Sequence, residues 1–292
     1  MSYYIHVGGD GNGLGVWEIT DTRVRRIDGA GIDYPRPAGV DVLQNIASTA
    51  PFSTVRQLRL APGGYYSRMA RPSSAYPRQS PGTTPDNATN RRAIAEALGQ
   101  LSALQQQLES ICQVVHPIAE NLPTFGHEIR SLLLLACTEV ETQWKSVLKA
   151  HSSRAENTSD YVKLAAAMKL PSYAIAFNFY PWLPPLRPFE NWKLVSQKPS
   201  QDISWYSAYN ATKHDRERAL SQATLENALM ATAACATMIV AQFGWVDSIR
   251  ERAALNSYFE IAESPIWEPE DVYFHALIEH EPRFTTALTY PF

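Results

Sequence analysis

Apolar residues recur at steps of three and four along two long stretches of the chain, a spacing that is typical of amphipathic helices. The first stretch begins at residue 91 and ends before Pro117, with an apolar face formed by Leu101, Leu104, Leu108 and Ile111. The second covers residues 127–151, where Leu134 and Leu135 widen the apolar stripe. We therefore expect the middle of this second helix to be buried nearly all round.

A change of pattern follows the second helix. Residues 160–170 predict a short third helix that ends at the next proline. Residues 172–192 are aromatic and interrupted by prolines, so they are not expected to continue a helix. We interpret them as a crossover loop that packs its aromatic rings on the helices.

The helical pattern returns near Asp202, and no Gly or Pro occurs from there to Phe243. A helix is expected to begin near Asp202 and to be followed by a turn. Ser221 or Thr224 then caps a closing helix that is rich in Ala and Leu.

The first 60 residues have the alternation and turn residues of strands. YYIHV, VWEIT and RVRRI predict a hairpin or meander. The glycine-dense segment GGDGNGLG lies between the first two strands and matches neither glycine fingerprint of a phosphate-binding loop, and a strand follows it instead of a helix. It is therefore interpreted as a tight turn.

Residues 61–90 are rich in Pro, Ser and Gly and predict a linker or an extended arm. Arginines and tyrosines alternate in it, a mixture that can follow a nucleic-acid backbone and stack on bases. We favour a solvated linker for these residues, and a nucleic-acid-binding arm is the alternative. The alternating residues are Tyr65, Tyr66, Arg68, Arg71, Tyr76 and Arg78.

These patterns together predict a mainly α fold: a helical bundle at residues 91–245, preceded by a small β-rich region at residues 1–60. Residues 61–90 join the two parts, and residues 246–292 form an acidic C-terminal extension.

Composition and charge limit the classes of function. The 292 residues are 45% apolar and 19% charged with a net charge of −3, which is typical of a soluble globular protein. Basic residues gather before the first long helix and acidic residues near the end of the chain, so the two ends are expected to face each other within one chain or between chains. With the long apolar helices, this predicts a homodimer, and a partner protein could bind through the N-terminal region or the arm.

The cysteines and the N-terminal residues indicate the expected compartment and cofactors. Cys112, Cys137 and Cys235 lie in apolar helical stretches without paired spacing, which argues against a disulfide framework and a zinc site. The start has no signal-peptide pattern, and the most apolar run is shorter than the roughly 20 residues that span a bilayer. We expect a cytoplasmic protein with no membrane partner, no metal and no cofactor.

Candidate chemistry concentrates in WYSAYNATKHDRERA, residues 205–219. Helical spacing places Asn210 and His214 one turn apart, with Lys213 close to the same face. Glu139 lies within the buried side of the second long helix, where an unpaired charge would be destabilising by several kcal/mol. We therefore expect Glu139 to pair with Lys213, His214 or Arg216.

This arrangement resembles the end of a HEPN domain, the small helical bundle of many RNA-cleaving toxins and defence proteins. In that family an Arg, often followed by Asn, precedes a His by a spacer of about four to six residues. Asn210 and His214 match the Asn and the His, whereas Tyr209 stands where the Arg is expected. The resemblance covers residues 91–245 and does not extend to the N-terminal region.

The resemblance implies a metal-independent endoribonuclease or RNA-binding effector of a bacterial stress or antiphage system, which places its motifs across a dimer interface. The implied catalytic residues are His214, Asn210, Lys213 and Arg216, and the implied substrate-binding residues are Arg218, Tyr209 and Glu139. Because Tyr209 replaces the Arg, the alternative is a catalytically silent helical scaffold that dimerises and binds a partner protein or a nucleotide.

Overall fold

The structure is a computed structural model that describes residues 1–28, 31–73, 84–245, 249–250, 252–278 and 281–292. The chain forms two compact units. The first consists of Met1–Tyr66, Arg71–Pro81 and Ile266–Leu288, and the second of Ser67–Ala70, Gly82–Pro265 and Thr289–Phe292. This division differs from the four predicted segments, because each unit combines residues that are distant in sequence. None of the helices in the described residues is long and apolar enough to cross a membrane.

The first unit is built on an antiparallel sheet with the strand order β4-β3-β2-β1-β5. The predicted hairpin and meander over residues 1–60 are confirmed by the register of the first three strands. In the glycine-dense turn, the Gly8 amide donates to the Asn12 carbonyl at 2.8 Å, and Gly11 has a positive φ of 81°. The elements are β1 Ser2–Val7, β2 Gly13–Ile19, β3 Arg23–Arg26, β4 Asp33–Pro35, α1 Val42–Ala47 and β5 Thr54–Gln57.

Alternation along the strands gives this sheet two apolar faces. Trp17 and Val24 pack with Val42 and Ile46 of α1 on one face. Ile5, Val7 and Val16 pack with Leu58 on the opposite face.

The predicted acidic extension is not a separate segment, because residues 266–288 complete the first unit. Strand β6, Gly64–Tyr66, pairs in parallel with β11, Thr286–Leu288, and β9, Ala276–Ile278, pairs antiparallel with β10, Glu281–Arg283. Arg56 lies 3.1 Å from Glu268 and 3.3 Å from Glu270. The basic and acidic ends therefore face each other within one chain.

The second unit is helical, and the two long predicted helices are confirmed. Thr224, one of the two predicted caps, accepts from the Asn227 amide at the start of the closing helix. The predicted short helix is divided in two, and the predicted crossover loop contains a strand, β7, that pairs antiparallel with β8. The elements are α2 Arg91–Val114, α3 His127–Ala150, α4 Thr158–Tyr161, α5 Lys163–Ala167, β7 Ala174–Phe177, α6 Ser204–His214, α7 Arg216–Ala219, α8 Leu225–Phe243, α9 Ala253–Tyr258 and β8 Phe259–Glu263.

Helix α8 runs parallel to α3. At their starts the Leu225 amide donates to the Thr124 carbonyl at 2.8 Å, and towards their ends the Gln242 side chain donates to Gln143 at 3.0 Å. Between these points the Cys235 thiol donates to the Ala136 carbonyl. The buried Ala and Leu residues of α8 allow this close approach along its whole length.

Helix α6 runs antiparallel to α3. Arg130 near the start of α3 donates to the Thr212 carbonyl near the end of α6 at 2.9 Å. About three turns further along α3, the Tyr206 hydroxyl near the start of α6 donates to Glu141 at 2.7 Å. The end of α6, the helix that carries the candidate residues Asn210, Lys213 and His214, therefore lies beside the beginning of α3. We call α6 the motif helix.

The predicted arm is mostly part of the two units. Met69 and Ala70 are buried in the second unit, where the Ala70 amide donates to the Ala241 carbonyl at 2.9 Å. The prediction of a solvated linker is thus wrong for Met69 and Ala70, because their apolar side chains and the backbone of Ala70 have partners in the helical unit. Tyr76 and Arg78 lie outside the described residues.

Arg71, predicted as a nucleic-acid contact, is a buried residue of the first unit with only 4% of its surface exposed. Its guanidinium lies 5.0 Å from the ring centroid of Tyr66, 4.7 Å from that of Trp267 and 5.7 Å from that of Tyr273. It also donates to the carbonyl and the carboxylate of Asp271. This cage neutralises and desolvates the charge, so Arg71 stabilises the fold and is not available to a nucleic acid.

We predict that Arg71→Met lowers the free energy of unfolding by about 3 kcal/mol, because it removes a buried, paired cation. Arg59 is the matched control, since it contacts the same carboxylate at 3.3 Å while its side chain is 64% exposed. Arg59→Met is expected to lower stability by less than about 1 kcal/mol. Urea titrations followed by tryptophan fluorescence measure both changes, and equal losses would contradict the role assigned to the cage.

Candidate functional site

One face of the motif helix α6 belongs to the aromatic core of the second unit. Tyr206 and Trp205 pack against Trp144 of α3, with ring centroids 5.3 Å and 6.2 Å away. The Trp205 indole donates to the Pro188 carbonyl at 2.7 Å. The spacing of residues 205, 206 and 209 puts all three rings on the buried side of the helix.

Tyr209, which replaces the motif Arg, is only 2% exposed. Its ring lies against Tyr206, and its hydroxyl accepts from the Lys213 ammonium at 2.8 Å. The ammonium is also 4.9 Å from the centre of the Tyr209 ring. This burial leaves the ring almost no surface for contact with a substrate, the role that was predicted for Tyr209.

Lys213 is an exposed cation that is held in place by this contact. The Tyr209 hydroxyl, which accepts its hydrogen bond, raises the pKa of Lys213 above its ordinary value. Lys213 is therefore charged at neutral pH and oriented by a rigid core residue.

His214 is the last residue of α6 and is exposed, while Asn210 is half-buried one turn before it. The helix thus brings the predicted Asn and His together on one side, next to Lys213. Within the described residues neither side chain is held by a hydrogen bond, so both are free to contact a ligand.

Arg216 and Arg218 follow on the short helix α7, and both are exposed. Asp215 caps α7 by accepting from the Arg218 amide at 3.2 Å, and its carboxylate lies 3.9 Å from the Arg218 guanidinium. Arg218 is therefore partly neutralised. Arg216 has no carboxylate within 4 Å among the described residues, which makes it the freer of the two cations.

Arg130 is a cation of this region that sequence patterns did not single out. Its guanidinium donates to the Thr212 carbonyl in the last turn of α6, where the helix dipole favours a positive charge. The contact joins residues that are 82 positions apart, so no local motif predicts it. Arg130 fixes the end of the motif helix to α3.

Glu139 does not pair with Lys213, His214 or Arg216, so this prediction is wrong. Among the described residues no cationic nitrogen lies within 4 Å of its carboxylate, which accepts instead from the Gln143 amide at 2.9 Å. The physical reason is that Glu139 lies on the side of α3 that carries Gln143 and faces Arg68, and not on the side that faces α6. The neighbouring Glu141 is the carboxylate that faces α6, through Tyr206.

A polar network extends from Glu139 into the helical unit. Gln143 accepts from Gln242, and Gln242 accepts from the Arg68 guanidinium at 2.9 Å. Burial raises the pKa of Glu139 above its ordinary value, and the Gln143 hydrogen bond and the charge of Arg68 oppose this rise. The substrate-binding role of Glu139 stays a prediction.

Two other features concern ligands. No cluster of three or more His, Cys, Asp or Glu that could hold a metal ion is found in the described residues. An apolar cavity of about 440 Å³ lies between the end of α2 and the start of α3, and its lining includes Val114, Phe125 and His127. None of the predicted site residues lines it.

We predict that Tyr209→Arg lowers the free energy of unfolding by about 2–3 kcal/mol, because a guanidinium would enter the aromatic core beside Lys213. Asn210→Arg, one position along the same helix, is the control and is expected to change stability by less than about 1 kcal/mol. Thermal unfolding measures both. A stable Tyr209→Arg variant with increased RNA cleavage would show that position 209 faces a substrate.

The pKa of Glu139 gives a pH-dependent prediction. Because the folded state raises this pKa, the contribution of Glu139 to stability is complete below its unfolded value of about 4.3 and is lost as the pH rises through the folded value. Glu139→Gln should therefore stabilise the protein relative to the wild type at pH 7 and have little effect at pH 4.

Urea unfolding at the two pH values tests this, with Glu128→Gln in the exposed first turn of α3 as the control. An equal effect of Glu139→Gln at both pH values would show that the Glu139 carboxylate is not destabilised by burial.

The chain was compared with models of protein families, with curated proteins and with solved structures, and nothing matched in any of the three comparisons.

Proposed function

We propose that the chain is a HEPN-like effector that binds RNA and cleaves it without a metal ion, as part of a bacterial stress or antiphage response. The observation that carries the proposal is the contact between Lys213 and Tyr209, which holds a cation next to the exposed His214. In the motif of the resembling family an Arg supplies this cation. Here Tyr209 would act indirectly, by orienting Lys213.

The residue types suit attack of an RNA 2′-hydroxyl on the adjacent phosphate. His214 exchanges a proton near neutral pH and would act as the general acid or base. Lys213 would stabilise the negative charge on the phosphate, and Asn210 would donate a hydrogen bond to it. Arg216 and Arg218 would bind neighbouring phosphates, since both are exposed on the next helix.

The proposal includes a homodimer that brings two copies of this helix end together. The mass of the protein in solution at micromolar concentration tests this part, and a monomer would count against it.

A catalytically silent scaffold is the second candidate, and the burial of Tyr209 favours it. Because Tyr209 is buried at the position of the motif Arg, it cannot place a catalytic group against a substrate. Such a scaffold would bind a partner through an apolar surface. The cavity that is lined by Val114 and Phe125 offers one, and Val114 has 85% of its surface exposed.

We predict that the purified protein cleaves mixed RNA in the presence of a chelator and that His214→Ala abolishes the cleavage. Lys213→Ala is expected to reduce the rate on the order of 100-fold, as does the loss of other preorganised charge-stabilising groups. Asn210→Ala should reduce it less. The measurement is the initial rate of RNA cleavage on gels.

Two exposed residues away from the end of α6 serve as matched controls. His116→Ala and Lys149→Ala are expected to retain the wild-type rate. Cleavage that survives in His214→Ala, or a wild-type protein that cleaves no RNA, would favour the silent scaffold.

A further inference from the structure

A second polar site lies in the first unit, on the sheet face that carries Ile5 and Val16. The register of β1, β2 and β3 places Tyr3 opposite Glu18 and Glu18 opposite Arg25. Directly opposed residues lie on the same face of a sheet, so the three side chains form one row.

This row borders a cavity of about 300 Å³. The other lining residues are Arg26, Ile27, Pro62, His275 and Ala276. Arg26 is paired with Asp28 at 2.8 Å. The volume is at the lower end of ligand pockets in proteins, which suits a compact ligand.

The walls of the cavity include flat surfaces. The His275 ring is supported from behind by Phe284, with ring centroids 4.2 Å apart. Partial burial lowers the pKa of His275, so its imidazole is neutral at neutral pH. Together with the Tyr3 ring and Pro62, it offers apolar faces to a planar group.

The polar groups of the row have hydrogen-bonding capacity left. Glu18 accepts from the Tyr3 hydroxyl at 3.3 Å through one oxygen and pairs with Arg25 at 2.8 Å through the other. An ionised carboxylate has about four acceptor positions, so each oxygen keeps one. Arg25 is half-exposed and uses one of its five N–H groups in this pair.

The cavity therefore presents the two neighbouring acceptor oxygens of Glu18, followed by the N–H donors of Arg25. A complementary ligand edge has two neighbouring N–H donors followed by a carbonyl oxygen. Guanine has this edge, with its 2-amino group, its N1–H and its O6, whereas adenine and the pyrimidines lack the two adjacent donors.

We propose that this cavity binds a guanine base, with Glu18 accepting from N1–H and the 2-amino group and Arg25 donating to O6. The base comes either from a free guanine nucleotide or from single-stranded RNA. The proposal does not depend on RNA cleavage, because none of its residues belongs to the helical unit.

Isothermal titration calorimetry with GMP, IMP and AMP on the full-length protein tests the proposal. GMP is expected to bind, and IMP, which lacks the 2-amino group, should bind at least tenfold more weakly because a hydrogen bond to a charged group is lost. AMP should bind no better than IMP. Equal affinities for the three nucleotides, or no binding of GMP and of guanine-containing RNA, would overturn the proposal.

A pair of six-nucleotide 2′-O-methyl RNAs, with and without one guanine, distinguishes the two sources. Binding of the guanine-containing RNA but not of GMP assigns the site to RNA, and the reverse assigns it to the free nucleotide. Both results support the cavity as a guanine site if Glu18→Gln weakens the binding. The RNA without guanine can bind only at the end of α6, and Glu18→Gln is expected to leave its affinity unchanged.

Substitutions of Glu18 and Arg25 test whether these residues bind the base. Glu18→Gln replaces one acceptor oxygen with a donor and should weaken GMP binding at least tenfold, while Arg25→Gln should weaken it less. Arg23→Gln on the same strand is the matched control, because Arg23 pairs with Asp33 and does not line the cavity. Thermal unfolding confirms that each variant is folded, and wild-type affinity in a folded Glu18→Gln variant would exclude the assigned role.

Discussion

The pairing of α8 with α3 is the interaction on which the second unit depends, because α2 and α6 each pack against both of these helices. Leu225 bonds to the segment before α3, Cys235 to the middle of α3, and Gln242 to Gln143 near its end. From Ala231 to Phe243 every residue of α8 is buried, so a shift of the two helices against each other would expose apolar surface or leave buried polar groups unpaired. Helix α6 then packs against this pair in the opposite direction.

The antiparallel packing of α6 determines which of its residues can do chemistry. Its aromatic side faces Trp144, which buries Tyr209 and leaves Lys213 and His214 at the end of the helix. A buried phenol is a rigid support for an exposed ammonium, since its position is set by core packing and not by solvent. The same packing separates these cations from Glu139, whose carboxylate accepts a hydrogen bond from Gln143 and is only partly compensated by the charge of Arg68.

Local signals in the sequence predicted the first three strands and the long helices, but they did not predict the elements that depend on long-range contacts. The periodicity of α2 and α3 and the Thr224 cap depend on residues within one or two turns, so their prediction was accurate. Strand β7 depends on its pairing with β8, far along the chain. Whether a cation of α6 reaches Glu139 depends on which neighbour that face of α3 meets, and a helical wheel cannot show this. In the candidate site, Asn210, Lys213 and His214 were recognisable from spacing, whereas the burial of Tyr209 and the contact of Arg130 required the fold.

We propose that the end of α6 is an RNA-binding surface in which Tyr209 holds Lys213 in place. The most direct measurement is the NMR titration of the histidine ring signals with a non-cleavable 2′-O-methyl RNA. We expect the His214 signals to shift and the His116 signals to stay unchanged. The His214 shift should be lost in Tyr209→Phe, because this substitution removes the hydroxyl that orients Lys213. Unchanged His214 signals at saturating RNA would contradict the proposal.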